Sequence, residues 1–374
     1  MIAIANPRFF RDNQLIANET VLVDGDKIVG FTNGTIPDGY VVIDAEQNYL
    51  TAGFIDLQIY GSGGNLFSAY PTVETLAQMD ADLMSKGTTG FLACIATNSD
   101  EIVEQAILAA KAYRPMAKGF LGLHLEGPYL NAKRKGAHLA SYIKKATLDE
   151  VKRIIELADG VVKMMTIAPE LQDDEVISYL LANNVVLSIG HSDATFEQAT
   201  EAYNKGITTT THLFNAMPSI HHREPNLPTA LFNHPTAMSS IIADGLHVNF
   251  EIVKMSYHLL RDRLFLITDA VTPCNIGPYH HQLEGDKFVT PGIALSGSNI
   301  TMTSSVRNCI ERCGISTGDA LKLATINPAK VIGHDQFKGK IEVGQQADLI
   351  ILDDSFNVKE VIFGGEKVNR TFQH

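Results

Sequence analysis

Val185-Val-Leu-Ser-Ile-Gly-His-Ser192 and, a little further on, Gly206-Ile-Thr-Thr-Thr-Thr-His-Leu-Phe-Asn215 form the stretch whose reading decides the fold. Each half is a short β-type run that ends in a histidine, His191 or His212. Between them Ala194 to Lys205 carries Phe196, Ala199 and Tyr203 at helical spacing, with Ser192 and Asp193 placed to cap the first turn. The stretch therefore reads as strand, helix, strand.

The two strands of such a unit run parallel, so both histidines emerge at the carboxyl edge of one sheet. Either histidine alone reads as a hydrogen-bonded residue under a loop. Matched positions on successive strands point instead to a shared metal.

Outward from this unit, apolar β-type runs alternate with helical stretches, the pattern of a parallel sheet covered by helices. Eight runs stand out: 53–58, 90–96, 122–126, 162–168, 185–190, 208–211, 240–244 and 264–269. Eight units in series predict a (β/α)8 barrel, with a doubly wound open sheet as the competing architecture. Gln58, Glu126, His191, His212, Asp244 and Asp269 fall at or just past the ends of different runs. A barrel gathers those ends round one mouth, whereas an open sheet spreads them along an edge, and this favours the barrel.

Both termini differ from the middle. Thr20-Val-Leu-Val, Asp24-Gly25-Asp26 and Lys27-Ile-Val-Gly-Phe make a hairpin signature. Lys340 to Leu352 and Glu360 to Val368 read as further short strands broken by glycine. Neither set suffices to bury a core alone, so residues 1–49 and 339–374 are expected to pair into a small β-sandwich domain beside a barrel spanning 50–338. Two connections, 217–235 and 271–296, are long enough to serve as lids or contact surfaces. Ser305 to Cys313 and Ser316 to Thr325 read as helices that finish the barrel.

The chain has 374 residues, enough for a barrel of roughly 250 residues plus a small domain. Its 45% hydrophobic content supports a large core. A net charge of −12 without a long Lys/Arg-rich run argues against nucleic acid as a partner, so an anionic substrate must be caught by local groups. No window approaches the length of a membrane span and no secretory pattern opens the chain, which leads to an expected cytoplasmic location. Cys94, Cys274, Cys309 and Cys313 lack C-x-x-C spacing and read as small core residues.

Glu126, His191 and His212 offer one carboxylate oxygen and two imidazole nitrogens, a set that suits a catalytic divalent metal with a position left for water. Such a site activates water and polarises a carbonyl, the chemistry of amide or ester hydrolysis. Asp269, in Leu-Ile-Thr-Asp-Ala, is the candidate for general acid/base, although a lone Thr-Asp usually braces a loop. His124, two residues before Glu126 on the same strand face, reads as a residue lining the barrel. His221, His222, His280 and His281, paired in the long loops, receive no role.

The residues quoted so far combine with others into a resemblance. Ala52-Gly-Phe-Ile-Asp-Leu-Gln58, His124-Leu-Glu-Gly-Pro128, Lys135-Gly-Ala-His138, Gly190-His-Ser192, Thr211-His-Leu-Phe-Asn-Ala-Met217, Asp244-Gly-Leu-His247, Thr268-Asp-Ala270 and Leu295-Ser-Gly-Ser298 resemble the N-acetylglucosamine-6-phosphate deacetylases of the amidohydrolase superfamily. The match extends to Gly339 to Leu349. It implies one divalent metal per subunit on Glu126, His191 and His212 (Zn, with Fe, Mn or Co as alternatives) and Asp269 as acid/base. It also implies an amino-sugar phosphate held by His138, Asn215 and Ala216, and a homodimer in which Arg223 and His247 reach the phosphate in the partner's site. Without the resemblance, Arg223 is a solvated loop charge, and His138 and His247 are ordinary loop histidines.

Many members of the superfamily carry His-x-His after the first strand, and this chain has Gln58 and Tyr60. Gln is a weak ligand and Tyr must lose a proton to ligate, so a single metal is expected, with Gln58 orienting water. Two other readings remain open at this stage: an amidohydrolase acting on a different N-acyl or cyclic amide, and a catalytically silent sugar-phosphate-binding protein.

Overall fold

The computed structural model describes residues 1–290, 292 and 295–369. Pro291, Ile293 and Ala294 of the long 271–296 connection, and residues 370–374 of the terminal segment, lie outside them.

Eight parallel strands form one sheet in sequence order. We number them β1 (Phe54–Ile59), β2 (Thr88–Ala96), β3 (Phe120–Glu126), β4 (Val162–Ile167), β5 (Val186–Ile189), β6 (Thr209–Thr210), β7 (Met238–Ile241) and β8 (Leu264–Leu266). Each is followed by a helix: α1 (Val73–Ser85), α2 (Asp100–Tyr113), α3 (Leu148–Ala158), α4 (Asp174–Ala182), α5 (Phe196–Asn204), α6 (Leu227–Asn233), α7 (Phe250–Leu260) and α8 (Met302–Glu311). This is the (β/α)8 barrel expected from the alternation. The strands are buried on both faces because one face meets the helices and the other fills the barrel, where polar side chains pair with one another.

Register carries the site residues to one rim. Ala96 pairs with Glu126, Glu126 with Thr166, Thr166 with Ser188 and Ile189 with Thr210, so His191 and His212 each stand two residues beyond a paired position. The seam between β1 and β8 closes just past the end of β8. There Asp269 N–H donates to the Gln58 carbonyl at 2.9 Å, Tyr60 N–H donates to the Ala270 carbonyl at 2.9 Å, and Ile59 bridges Ala270.

Helix α5 begins later than the sequence suggested. Thr195, not Ser192 or Asp193, is the N-cap, and it forms a capping box with Gln198. The hydroxyl of Ser192 and the backbone N–H of Asp193 both donate to Glu170, each at 2.8 Å, which ties the loop carrying His191 to the segment after β4.

The termini build two four-stranded sheets. One orders 27–32, 20–24, 2–5 and 41–44, and the other orders 366–367, 358–363, 349–352 and 49–52. They share one apolar cluster, including Ile4, Phe9, Val21, Ile28, Leu50, Leu349 and Ile362, so neither end folds against itself alone. Residues 340–348, expected as strand, run as a connection whose Ala347 N–H donates to the Asp26 carbonyl and whose Gly344 N–H donates to that of Ile28.

A buried polar chain crosses the barrel interior. His124 Nδ1 bonds the Leu57 carbonyl at 3.0 Å and its Nε2 meets the Thr166 hydroxyl at 2.7 Å. That hydroxyl meets Thr211 at 2.7 Å, and Thr211 meets Ser188 at 2.6 Å. A carbonyl only accepts, so Nδ1 carries a proton; with the ring neutral, Nε2 accepts from the Thr166 hydroxyl. Burial holds the His124 pKa down at about 4 against an ordinary 6.5. A group depressed in the folded state contributes stability above its unfolded pKa and loses it as pH falls toward the folded one. Stability is therefore expected to fall by about 2 kcal/mol from this residue alone between pH 7 and pH 5. Denaturant titration at the two pH values checks this, and His124→Asn should flatten the difference.

Candidate active site

Glu126 ends β3, while His191 and His212 sit on the turns leaving β5 and β6. Their ligand atoms converge: Glu126 Oε1 lies 3.0 Å from His212 Nε2 and 3.3 Å from His191 Nε2, and the two nitrogens are 3.1 Å apart. All three side chains are buried. His191 Nδ1 faces the Arg134 carbonyl at 2.9 Å, so it carries the proton and leaves a lone pair on Nε2 pointing at the other two atoms. Burial lowers the His191 pKa against the opposing pull of Glu126 and the Arg134 carbonyl, which keeps that lone pair free. His212 is aimed through its backbone, whose N–H donates to the Ser240 hydroxyl at 2.7 Å.

Lone pairs aimed at one point repel unless a cation stands among them. Tetrahedral Zn bound at about 2.0–2.1 Å spaces its ligand atoms roughly 3.3 Å apart. The observed triangle has edges of 3.0 to 3.3 Å, so the residues present fit a divalent ion.

The other oxygen of Glu126 is held away from that point. Oε2 accepts from the Tyr60 hydroxyl and lies 3.0 Å from His138 Nε2. Thr97 N–H donates to His138 Nδ1 at 3.2 Å, which places the imidazole proton on Nε2 and makes it the donor to Glu126. The structure thus brings His138 against Glu126 as well as to the cavity wall. Tyr60, noted in the sequence only as a departure from His-x-His, fixes the carboxylate so that one oxygen faces the imidazoles.

Gln58 links the two acids of the site. Its Nε2 lies 3.0 Å from Glu126 Oε1 and 2.8 Å from Asp269 Oδ1, with the Tyr60 hydroxyl also at 3.0 Å. The two carboxyls are driven in opposite directions. Burial pushes Asp269 well above the usual range, and the nearby Glu126 and Asp56 charges add to it against the pull of His212. Burial acts on Glu126 too, but the His138 Nε2–H bond to Oε2 and the neighbouring His191 imidazole outweigh it and hold Glu126 well below. A split of this kind is the physical condition under which one carboxyl stays an anion while its neighbour can exchange a proton.

His191, His212 and Asp269 have φ of 48°, 33° and 54°. L residues rarely adopt these left-handed values, and they persist where the surrounding structure holds them. Gly190 makes the turn before His191 possible, since a Cβ there would come within 2.6 Å of Thr166 and 2.8 Å of Thr211.

A cleft with about 810 Å³ of free space, part of it continuous with solvent, opens onto this centre. Asn215, Ala216, His138 and His247 line it. His247 Nδ1 lies 2.6 Å from Asp244 Oδ2, and its backbone N–H donates to Oδ1 at 2.8 Å. Arg223 is exposed on its loop and is absent from the wall.

Tyr279 and His281 complete the wall, although the sequence suggested a role for neither. Their rings stack with centroids 6.3 Å apart, the Tyr279 hydroxyl donates to the Thr97 carbonyl, and His281 Nδ1 meets the Ser296 hydroxyl at 3.0 Å. Burial lowers His281 to a pKa of about 4. The available signal was the Gly285-Asp286 turn between 282–284 and 287–289, which folds this stretch back as a hairpin.

A parallel barrel with a Glu/His/His centre at its rim is the architecture of a metal-dependent hydrolase. The amidohydrolase family profile matches residues 49–368, and the chain belongs to that family. It is 32% identical to N-acetylglucosamine-6-phosphate deacetylase of Haemophilus influenzae, over 97% of this chain and 98% of that one. Among solved structures, that of N-acetylglucosamine-6-phosphate deacetylase from Pasteurella multocida superposes with a TM-score of 0.93 at 32% identity, covering 98% and 99% of the two chains. The N-acetyl-D-glucosamine-6-phosphate deacetylase of Mycobacterium smegmatis, solved as a variant in complex with N-acetyl-D-glucosamine-6-phosphate, gives 0.89 at 29% identity over 98% of each chain.

Elemental analysis of dialysed protein should find one divalent ion per chain, lost in His212→Ala and after chelation. Two fully retained ions would contradict the reading of Gln58 and Tyr60.

Proposed function

We propose that this chain hydrolyses the acetamido bond of N-acetylglucosamine 6-phosphate, releasing acetate and glucosamine 6-phosphate. The observation that carries the reading is the Gln58 bridge, which holds Asp269 beside the Glu126, His191 and His212 triangle at the floor of a sugar-sized cavity.

Glu126, His191 and His212 are the residues that would hold one divalent ion, with zinc as our assignment and Fe, Mn or Co as alternatives that the same donor set accepts. Such an ion, when bound, lowers the pKa of water and polarises the acetamido carbonyl. The remaining chemistry belongs to the chain. Asp269, kept next to the centre by Gln58, takes a proton from the attacking water as the new C–O bond forms. It then delivers that proton to the sugar nitrogen as the C–N bond breaks, so one aspartate serves both halves. Gln58 orients the carboxylate, and Tyr60 and His138 keep Glu126 turned toward the imidazoles.

Asn215 and the Ala216 backbone, with His138, would hold the sugar, and His247, oriented by Asp244, would meet the phosphate. The described cavity wall contains no Lys or Arg, yet a phosphate dianion calls for one. The exposed Arg223 supports a homodimer in which this residue completes the partner's site, whereas His247, expected to reach across with it, lines the cavity of its own chain. We also take residues 50–338 as the catalytic unit, with 1–49 and 339–374 as its companion. Among the described residues no helix is long and apolar enough to cross a membrane. A phosphorylated sugar does not cross membranes unaided, which supports a cytoplasmic location.

Acetate release from N-acetylglucosamine 6-phosphate by metal-analysed protein tests the whole reading, and no release would refute it. Asp269→Asn should retain the ion while kcat drops by roughly 10²- to 10⁴-fold. Substantial residual turnover would remove Asp269 from the role. Arg223→Ala should raise KM roughly ten- to a hundredfold for the phosphorylated substrate and leave the unphosphorylated sugar unaffected. Equal effects on both would favour an amidohydrolase for a different amide. Tight sugar-phosphate binding without turnover would favour a silent binder.

A further inference from the structure

We infer that Asp56 is a positioning residue for turnover, which grips Thr268 across the barrel seam and thereby sets the backbone that presents Asp269. The inference rests on the acid/base role proposed for Asp269.

Asp56 lies in β1, two residues before Gln58, and is fully buried. Its Oδ1 accepts the backbone N–H of Gln58 and that of Thr268, each at 3.2 Å, and its Oδ2 accepts the Thr268 hydroxyl. No cation pairs with it among the described residues. Burial accordingly pushes its pKa up to about 6. A buried carboxylate without a counter-charge is costly, and an apolar side chain would close a barrel seam without that cost. What the carboxylate offers is acceptance at both oxygens from one residue of the facing strand end.

The grip reaches Asp269 through short links. The Thr268 hydroxyl gives its proton to Asp56 and accepts the Ala270 N–H at 3.3 Å, so its two roles are assigned. The Thr268 carbonyl accepts the Ser298 hydroxyl, and Ser298 N–H donates to the Asp269 carbonyl at 3.0 Å. Asp269 N–H donates to the Gln58 carbonyl at 2.9 Å. Residue 269 is thus held on both sides at its left-handed φ of 54°, with its carboxylate against Gln58. Asn at position 56 would turn an NH2 toward the Thr268 hydroxyl. That hydroxyl would then accept from position 56 and compete with the Ala270 N–H.

The test compares Asp56→Asn, Thr268→Val and Thr268→Ser with the wild-type chain. Acetate release from N-acetylglucosamine 6-phosphate is measured per metal-loaded chain, alongside metal content and Tm. Misplacing a reacting group by about an ångström costs up to about a hundredfold. Asp56→Asn and Thr268→Val should therefore lose roughly ten- to a hundredfold in kcat, with KM within about twofold and metal content unchanged. Thr268→Ser, which keeps the hydroxyl, should stay within about threefold of wild type in kcat. A merely structural role would lower Tm and folded yield while leaving kcat per loaded chain intact, and that result overturns the inference. So does a loss of kcat that tracks loss of metal. Should Asp56→Asn fail to fold, the Thr268 pair decides, since equal kcat in the Val and Ser variants overturns it. A wild-type chain that releases no acetate overturns the deacetylase reading itself, on which this one stands.

Discussion

Closure of the parallel barrel between its first and last strands is the constraint on which the active centre depends. A ring of parallel strands brings residues from distant segments to one rim, but only if the ends of the sheet meet. Here they meet through the backbone pairs of Gln58 and Tyr60 with Asp269 and Ala270, beside the Asp56 carboxylate on Thr268. Residues of β1 that face the interior alternate with those packed outward, so Asp56 and Gln58, and Tyr60 just past the strand's end, point inward together. Structural closure, through the backbone of Gln58 and Tyr60 and the Asp56 carboxylate, and alignment of the site, through the Gln58 and Tyr60 side chains, therefore draw on the same three residues.

The second organising feature is the division of labour between two buried carboxyls. Glu126 and Asp269 share Gln58 as a neighbour, yet Glu126 is wrapped by His138, Tyr60 and the imidazole pair while Asp269 has few donors. Surroundings of this kind hold the Glu126 pKa down and push that of Asp269 up. The left-handed backbone at His191, His212 and Asp269 belongs to the same design, since each residue leaves its strand and must turn at once to face the centre.

Much of the site was legible because barrel topology converts sequence position into spatial position. A residue just past the end of a β-type run has one place to go, and Glu126, His191, His212 and Asp269 all follow that rule. Residues on long connections obey no such rule. His281 reads like its neighbour His280, yet the hairpin at 282–289 buries one against the cavity and leaves the other exposed. The cap of α5 was misplaced for a related reason: Ser192 and Asp193 are good capping types, but Glu170 claims their hydroxyl and N–H.

The sequence by itself determined the eight-unit barrel, the membership of the Glu126, His191 and His212 cluster and the candidate acid/base, because hydrophobic period and strand ends are local properties. It also showed that Gln58 and Tyr60 replace a histidine pair. Tertiary structure alone decided what those two residues do. Whether a buried amide or phenol acts as ligand, donor or filler depends on which carboxylate faces it, and Glu126 and Asp269 lie 68 and 211 residues along the chain from Gln58.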